Sequence, residues 1–213
     1  MDKNNDSDIK VAEFLLQIKA VKLQPNEPFT WASGWKSPIY CDNRKILSFP
    51  KVRTYIRQQF AEKLLERFGK PDVIAGVATG GIAHGALVAE ELGVPFIYVR
   101  SSAKKHGLQN KIEGVLEKGQ RVVVIEDLIS TGGSSLDAVD AIRETGGDVV
   151  GLLAVFSYGF DVAKENFLSK KCEYGTLTNY ETLIDVASKD NYIESKDIES
   201  VKEWKKDPSS WKQ

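Results

Sequence analysis

The chain has 213 residues, of which 42% are hydrophobic and 28% charged, and its formal net charge is −1 with a pI near 6.2. This composition is typical of globular proteins large enough to bury one core, so a single domain over residues 1–213 is predicted. A nearly neutral chain with no long apolar run and only two cysteines offers no broad surface for nucleic acid, no segment that spans a membrane, and no disulfide framework or zinc cluster.

The N-terminal part begins with polar residues and continues as an amphipathic helix. Met1–Lys10 lacks the apolar stretch of a secretory signal, so a cytoplasmic location is expected. Two prolines, Pro25 and Pro28, end the helix. Its apolar residues recur at helical spacing, and they are Val11, Phe14, Leu15 and Ile18.

An unusual segment follows at residues 29–44. It contains Trp31, Trp35, a glycine, a proline and several charged residues that include Asp42 and Arg44. The segment is too polar for the interior of a domain and too aromatic for an ordinary loop. It is therefore interpreted as a lid or an interface.

The middle of the chain is predicted to be an α/β core. Ser48 is placed to cap a second helix whose apolar residues recur every four positions, namely Val52, Ile56, Phe60, Leu64 and Phe68. Four apolar runs then alternate with helical or loop segments, at residues 73–77, 94–99, 122–125 and 149–156. Alternation of this kind indicates a mainly parallel central sheet flanked by helices.

Two further helices are predicted near the C-terminus. Thr178 and Glu181 fit a capping box at the start of an amphipathic segment. A charged tail follows, and its apolar residues favour one short helix through Ile198, Val201 and Trp204.

The third apolar run leads into a segment with a distinctive order of residue types. The β-branched run at 122–125 is followed by Glu126 and Asp127, which are expected at the carboxyl end of the strand, and then by a loop of small and hydroxyl residues. Glycines and the free N–H groups of a helix start favour a bound phosphate. The carboxylates can accept hydrogen bonds from vicinal sugar hydroxyls, so the segment is suited to a sugar phosphate. The alternative is an ordinary strand-to-helix turn with solvated acids.

Two other loops are expected at the same edge of the sheet, where ligands bind in folds of this kind. Residues 78–82 form a small glycine-containing loop that leads into a helix, and they are either a plain turn or a second backbone cradle for an anion. Residues 100–111 carry several cationic side chains and no acid. This second loop is either a solvated basic loop or a mobile lid.

The whole pattern resembles a known family. The string Arg121–Ser134 closely resembles the phosphoribosyl diphosphate (PRPP) signature of the type I phosphoribosyltransferases, and residues 29–44 resemble the hood of the orotate phosphoribosyltransferases. With residues 98–114, the resemblance covers most of residues 8–206. The chain is identified as a member of this family, with a hood at about residues 8–47, a core at about 48–188 and a helical C-terminal tail.

The resemblance implies transfer of the ribose 5-phosphate group of PRPP to orotate, which gives orotidine 5′-monophosphate and diphosphate in pyrimidine biosynthesis. It implies that Asp127, Lys104 and His106 are catalytic and that Arg100, Lys104 and His106 hold the pyrophosphate. Glu126 and Asp127 would hold the ribose hydroxyls. The other implied PRPP-binding residues are Leu128, Ile129, Ser130, Thr131, Gly132, Gly133 and Ser134. Ser130 would also reach orotate.

The family resemblance also implies a cofactor and an assembly. Mg²⁺ would be bound mainly through substrate oxygens, so no cluster of metal ligands on the protein is expected. The lid would close over the neighbouring subunit's site in a homodimer.

Some positions depart from the better-known branch of the family. Ala32, Gly80 and Ser101 each stand where that branch has a lysine. The arginine that holds the orotate carboxylate has no match near Phe156. Arg44 is the candidate replacement, and a surface ion pair with an acid such as Asp42 is the alternative.

Two rival functions stay open at this point. One is a phosphoribosyltransferase for a purine base or uracil, against which the hood argues. The other is a PRPP-sensing regulator that has lost catalysis. Such regulators usually carry an added DNA-binding domain, and the N-terminal residues have few basic positions for that role.

Overall fold

The computed structural model describes residues 3–31, 34–102 and 111–212. The helices in these ranges are α1 (Lys3–Gln17), α2 (Pro50–Phe68), α3 (Gly80–Leu92), α4 (Gly133–Glu144), α5 (Asp161–Ser169), α6 (Tyr180–Lys189) and α7 (Ile198–Lys206). The strands are β1 (Val21–Leu23), β2 (Phe29–Thr30), β3 (Lys36–Ser37), β4 (Ile39–Cys41), β5 (Val73–Val77), β6 (Phe96–Val99), β7 (Ile112–Glu113), β8 (Arg121–Ile129), β9 (Asp148–Ser157) and β10 (Tyr174–Asn179). Short 3₁₀ helices lie at Asn43–Ser48 and Ser195–Asp197.

The contacts within the chain divide it into two compact units. One unit runs up to Pro50 and from Thr178 onwards, and the other is Lys51–Leu177. The predicted hood therefore belongs to the same unit as the C-terminal tail. The single domain predicted over residues 1–213 stays a prediction.

A six-stranded sheet forms the centre of the Lys51–Leu177 unit, in the strand order β10-β9-β8-β5-β6-β7. β5 is parallel to β6 and β8, and β8 is parallel to β9, whereas the short β7 is antiparallel to β6. The sheet confirms the predicted mainly parallel α/β core. The strands β5 and β8 have apolar residues buried on both faces, as the β-branched runs predict.

Strand β8 is longer than its apolar run. Glu126 and Asp127 were predicted at the carboxyl end of this strand, and they do lie in its carboxyl-terminal part, but β8 extends past them to Ile129. The ladder with β9 continues through the pairs Glu126↔Ala154, Leu128↔Phe156 and Ile129↔Ser157. The ten-residue β9 supplies partners for this extension, so backbone pairing rather than side-chain polarity decides where β8 ends.

Helix α3 lies very close to the centre of the sheet. A Cβ atom on Gly81 would lie 2.4 Å from the carbonyl oxygen of Ile125, and one on Gly85 would lie 3.2 Å from Cα of Gly76. Only glycines permit this approach of a helix to strand backbones. As a result, the N-terminus of α3 lies beside the acidic part of β8.

The other unit contains the hood residues and the C-terminal helices. The buried Trp204 indole on α7 donates a hydrogen bond to the carbonyl of Lys36, at 3.2 Å, and its ring meets that of Trp31 edge to face at 5.5 Å between centroids. Tyr180 also donates a hydrogen bond, at 2.9 Å, to the carbonyl of Val201. Aromatic packing within this unit thus accounts for Trp31, one of the tryptophans that made the segment unusual.

Two predicted helix starts differ from the structure. Helix α2 begins at Pro50, while Ser48 ends the preceding 3₁₀ helix and does not cap α2. Helix α6 is capped by Asn179, whose side-chain oxygen accepts a hydrogen bond from the Thr182 N–H, so the predicted capping box was wrong. Proline suits the first helical position, and asparagine is at least as good a cap as threonine.

None of the helices in the described ranges is both long enough and apolar enough to cross a membrane.

Candidate active site

The carboxyl ends of four parallel strands, β5, β6, β8 and β9, meet at one edge of the sheet. Short hydrogen bonds join the segments there. The N–H of Ala78 donates to the carbonyl of Val99 at 2.9 Å, and the N–H of Tyr158 donates to the carbonyl of Ile129 at 3.2 Å. The loops that follow β5, β6 and β8, which the sequence placed at this edge, therefore begin at the ends of neighbouring strands.

Glu126 is the buried member of the acidic pair, with only 4% of its surface exposed. Its Oε1 accepts a hydrogen bond from the Asp127 N–H at 2.9 Å, and its Oε2 accepts one from the Ser135 hydroxyl at 3.0 Å. Burial and the neighbouring charge of Asp127 hold the pKa of Glu126 well above its ordinary value. This side chain is thus fixed on both oxygens within the protein.

Asp127 is half-buried and lies against the first residue of α3. A Cβ atom on Gly80 would lie 2.3 Å from both Cγ and Oδ1 of Asp127. The Asp127 carboxylate therefore occupies the space that a side chain at position 80 would need. The structure brings the acidic pair and the glycine-containing loop of residues 78–82 together, as the sequence analysis expected.

The loop after β8 presents a partly open backbone ahead of α4. Gly132 is the N-cap of α4 with φ +83°, and a Cβ atom there would lie 2.7 Å from the Phe167 ring. The Asn166 side chain donates a hydrogen bond to the Thr131 carbonyl at 3.0 Å, which holds the loop from α5. Thr131, Gly133 and Ser134 are exposed, whereas Ser130 is half-buried and Ile129 is buried. Exposed N–H groups at this helix start are suited to an anion.

The basic loop is described only at its two ends. The N–H of Arg100 donates to the carbonyl of Lys111 at 2.8 Å, and the Arg100 guanidinium pairs with Glu113 at 3.3 Å. Lys104 and His106 lie outside the described residues, as does Ala32. Glu113 was not predicted as a partner of Arg100 because it lies just beyond the basic segment of residues 100–111.

Arg44 belongs to the other unit of the chain and pairs with Asp42, with 2.7 Å between Nε and Oδ1. Its side chain is 60% exposed. This ion pair matches the alternative that the sequence analysis left open. A contact of Arg44 with orotate stays a prediction.

Ser135 was not predicted as a site residue, although it follows the signature directly and supports Glu126 from within α4. The sequence signal for this role is a hydroxyl residue in the first turn of the helix that follows the strand with the acidic pair. Within the described ranges, no three His, Cys, Asp or Glu side chains lie close enough to form a metal-binding cluster.

Comparison with known proteins places this site in a family context. The profile of the phosphoribosyl transferase domain matches residues 44–191. An orotate phosphoribosyltransferase of Bacteroides thetaiotaomicron is 59% identical over 200 residues, which are 94% of each chain. One from Listeria innocua is 58% identical over 202 residues, covering 95% of this chain and 97% of that protein. The crystal structure of the Aeropyrum pernix orotate phosphoribosyltransferase superposes with a TM-score of 0.75 at 27% identity, over 86% of this chain and 99% of that one.

Proposed function

This chain belongs to the phosphoribosyl transferase domain family, and we infer that its reaction is that of an orotate phosphoribosyltransferase. It transfers the ribose 5-phosphate group of PRPP to orotate, with diphosphate as the leaving group, and so acts as a pentosyltransferase. The observation that carries this inference is the high identity, over nearly the whole chain, to proteins of this name. We further propose that its product serves pyrimidine biosynthesis.

The geometry of the strand edge supports binding of PRPP. We assign the 5-phosphate to the loop of residues 129–134, where exposed backbone and hydroxyl groups precede α4. The ribose hydroxyls are assigned to Glu126 and Asp127. Asp127 is the more exposed of the two, so we assign it to the side of the ribose where positive charge develops. Ser130, half-buried at the start of the loop, is assigned to orotate as well as to the phosphate.

The reaction requires charge of both signs. Cleavage of the bond between C1 of the ribose and the pyrophosphate oxygen leaves the ribose positive and the diphosphate negative, so fixed charges on opposite sides lower the barrier. Asp127 serves the ribose. Arg100 follows β6, which is separated from β8 by β5, and it is assigned to the diphosphate together with Lys104 and His106 of the lid.

We propose that Mg²⁺ accompanies PRPP. The ion would be held mainly through oxygens of the substrate, and the half-buried Asp127 carboxylate would be a protein oxygen of the kind that Mg²⁺ accepts. When bound, the ion supplies positive charge that stabilises the leaving diphosphate.

The assembly is proposed from the family resemblance. We propose a homodimer in which Lys104 and His106 of one subunit act at the site of the other, and a cytoplasmic location. No nucleic acid or membrane is assigned as a partner.

The first test is loss of orotate absorbance with purified protein. We expect consumption of orotate only when PRPP and Mg²⁺ are both present, since neither the electrophile nor the charge on the leaving group is available otherwise. Addition of EDTA should stop the reaction, and excess Mg²⁺ should restore it. Unchanged orotate absorbance with folded protein under the complete conditions would overturn the proposal.

A second test concerns the orotate carboxylate. We propose that Arg44 leaves its ion pair with Asp42 and binds this carboxylate, because a desolvated carboxylate needs a cationic partner. The exposed pair holds Arg44 only weakly, since surface ion pairs contribute about 0–1 kcal/mol. Arg44→Ala should raise the KM for orotate tenfold or more and leave the KM for PRPP within twofold.

The matched control for Arg44 is Asp42→Asn, which breaks the same ion pair but keeps the arginine. This variant should bind orotate as well as the parent protein does. If Arg44→Ala changes both KM values equally, or neither, then Arg44 is a surface residue without a role in orotate binding.

A further inference from the structure

We propose that Glu113 is a positioning residue for Arg100: its carboxylate holds one edge of the Arg100 guanidinium and so directs the other edge toward the diphosphate. The proposal rests on the proposed function, because Arg100 is assigned there to the diphosphate. It gives Glu113 no contact with substrate. Glu113 acts instead through the orientation of the arginine.

The two residues project from one face of the sheet at its β6–β7 edge. The antiparallel ladder pairs Tyr98 with Glu113, and the Arg100 N–H continues it by donating to the Lys111 carbonyl at 2.8 Å. Successive side chains of a strand alternate between the two faces, so Arg100 and Glu113 lie on the same face. They are diagonal neighbours across the two strands, at a separation that long side chains can bridge.

The contact between the two side chains uses one edge of the guanidinium. Oε1 of Glu113 accepts a hydrogen bond from Nη1 of Arg100 at 3.3 Å. Among the residues that the structure describes, this is the only partner of the guanidinium, which has five N–H donors in a rigid fork. The donors on Nε and Nη2 thus remain for an anion, and a diphosphate can accept two of them together.

The backbone that carries Glu113 has little freedom to move. Gly114 follows with φ +107°, and a Cβ atom there would lie 2.9 Å from Cγ2 of Ile97 and 3.2 Å from the carbonyl oxygen of Phe96. Only a glycine permits this tight turn against β6. Because the ladder fixes one side of Glu113 and the turn fixes the other, its carboxylate is an acceptor in a defined place at the edge of the sheet.

The residues around Arg100 explain why such an acceptor is useful. Ser101 carries no charge, so Arg100 is the cation at this end of the basic segment. Lys111 lies opposite Arg100 across the two strands, and like charges in this arrangement repel each other. Glu113 offsets this repulsion. An arginine that is already oriented also loses less side-chain freedom when it binds an anion.

A double-mutant cycle tests the proposal. Glu113→Ala should raise the KM for PRPP and the Kd for magnesium diphosphate about tenfold, because the guanidinium must then be ordered when the anion binds. In an Arg100→Ala background, the same change should have less than a twofold effect, since no guanidinium is left to orient. Glu113→Gln keeps an oxygen acceptor for Nη1 and should stay within about threefold of the parent protein. Steady-state kinetics and titration calorimetry measure these constants.

Glu117→Ala is the matched control. Glu117 is an exposed acid four residues beyond Glu113, so its removal should leave both constants within twofold of the parent values. In Glu113→Ala, kcat should change less than the KM for PRPP, because the positioned arginine contacts the diphosphate before and during the reaction. The melting temperatures of both variants should lie close to that of the parent, since neither side chain is part of the core.

Several outcomes would overturn the proposal. A lower Kd for diphosphate in Glu113→Ala would show that the carboxylate competes with the anion for Arg100. Near-parental constants in Glu113→Ala, equal losses in Glu113→Ala and Glu113→Gln, or losses that multiply in the cycle would overturn it as well. If the parent protein does not convert orotate, the proposed function fails, and the titration with magnesium diphosphate then decides the role of Glu113 by itself.

Discussion

Asp127→Asn is expected to lower kcat/KM for PRPP by about 30- to 900-fold, which corresponds to about 2–4 kcal/mol of transition-state stabilisation. The amide keeps the size of the carboxylate but removes the negative charge that faces the developing charge on the ribose. Because Asp127 is half-buried against the start of α3, solvent water compensates poorly for the loss of the carboxylate charge. Steady-state kinetics with PRPP as the varied substrate measure the effect.

Asp137→Asn is the matched control for this variant. Asp137 lies on α4 with an exposed side chain, so the same chemical change there should leave kcat/KM within twofold of the parent value. The melting temperature of Asp127→Asn should remain close to that of the parent. Near-normal kcat/KM in Asp127→Asn would mean that the acidic pair is an ordinary feature of a strand and not part of the site.

Glu126→Gln is expected to give a protein that is more stable but less active. The buried Glu126 carboxylate lies next to Asp127, and both burial and that charge raise its pKa. Glutamine removes the buried charge, and its amide can still bond with Ser135 and the Asp127 N–H. The free energy of unfolding should rise by about 1–3 kcal/mol at neutral pH. Activity should fall at least tenfold because a ribose contact is lost.

The pH dependence of this difference follows from the direction of the pKa shift. A carboxyl group with a raised pKa binds more protons in the folded than in the unfolded state, so its contribution to stability falls as the pH rises above the unfolded value of about 4.3. The stability advantage of Glu126→Gln should therefore be small in acid and grow toward neutral pH. Denaturant unfolding at several pH values measures it.

Glu165→Gln, at an exposed position on α5, is the matched control for Glu126→Gln. It should show no growing stability advantage as the pH rises. A Glu126→Gln protein that is less stable than its parent at neutral pH would show that the ionised carboxylate is well satisfied in the folded protein.

Much of the fold could be predicted because its signals are local. Apolar, β-branched runs predicted the parallel strands, and helical periodicity predicted α1, α2 and α7. The position of the candidate site at one edge of the sheet followed from the predicted parallel arrangement of the strands, since parallel strands present their carboxyl ends together. The resemblance to the family then supplied the assignment of each loop.

The remaining features depend on partners distant in sequence. The extension of β8 through Glu126 and Asp127 needs the length of β9, which the apolar pattern of β8 does not contain. The pairing of Arg100 with Glu113 depends on β6 and β7 lying side by side. The close approach of position 80 to the Asp127 carboxyl group is likewise a matter of packing between α3 and β8.

The measurement that tests the account most directly is a comparison of nucleobases with PRPP and Mg²⁺, in which the products are identified by mass. Orotate should yield orotidine 5′-monophosphate and one diphosphate per orotate consumed, while uracil, adenine, guanine and hypoxanthine should yield no nucleotide at comparable protein concentration. A nucleotide formed from another base in preference to orotate would contradict it. Binding of PRPP without any nucleotide product would also contradict it, and would identify a PRPP-sensing protein without catalysis.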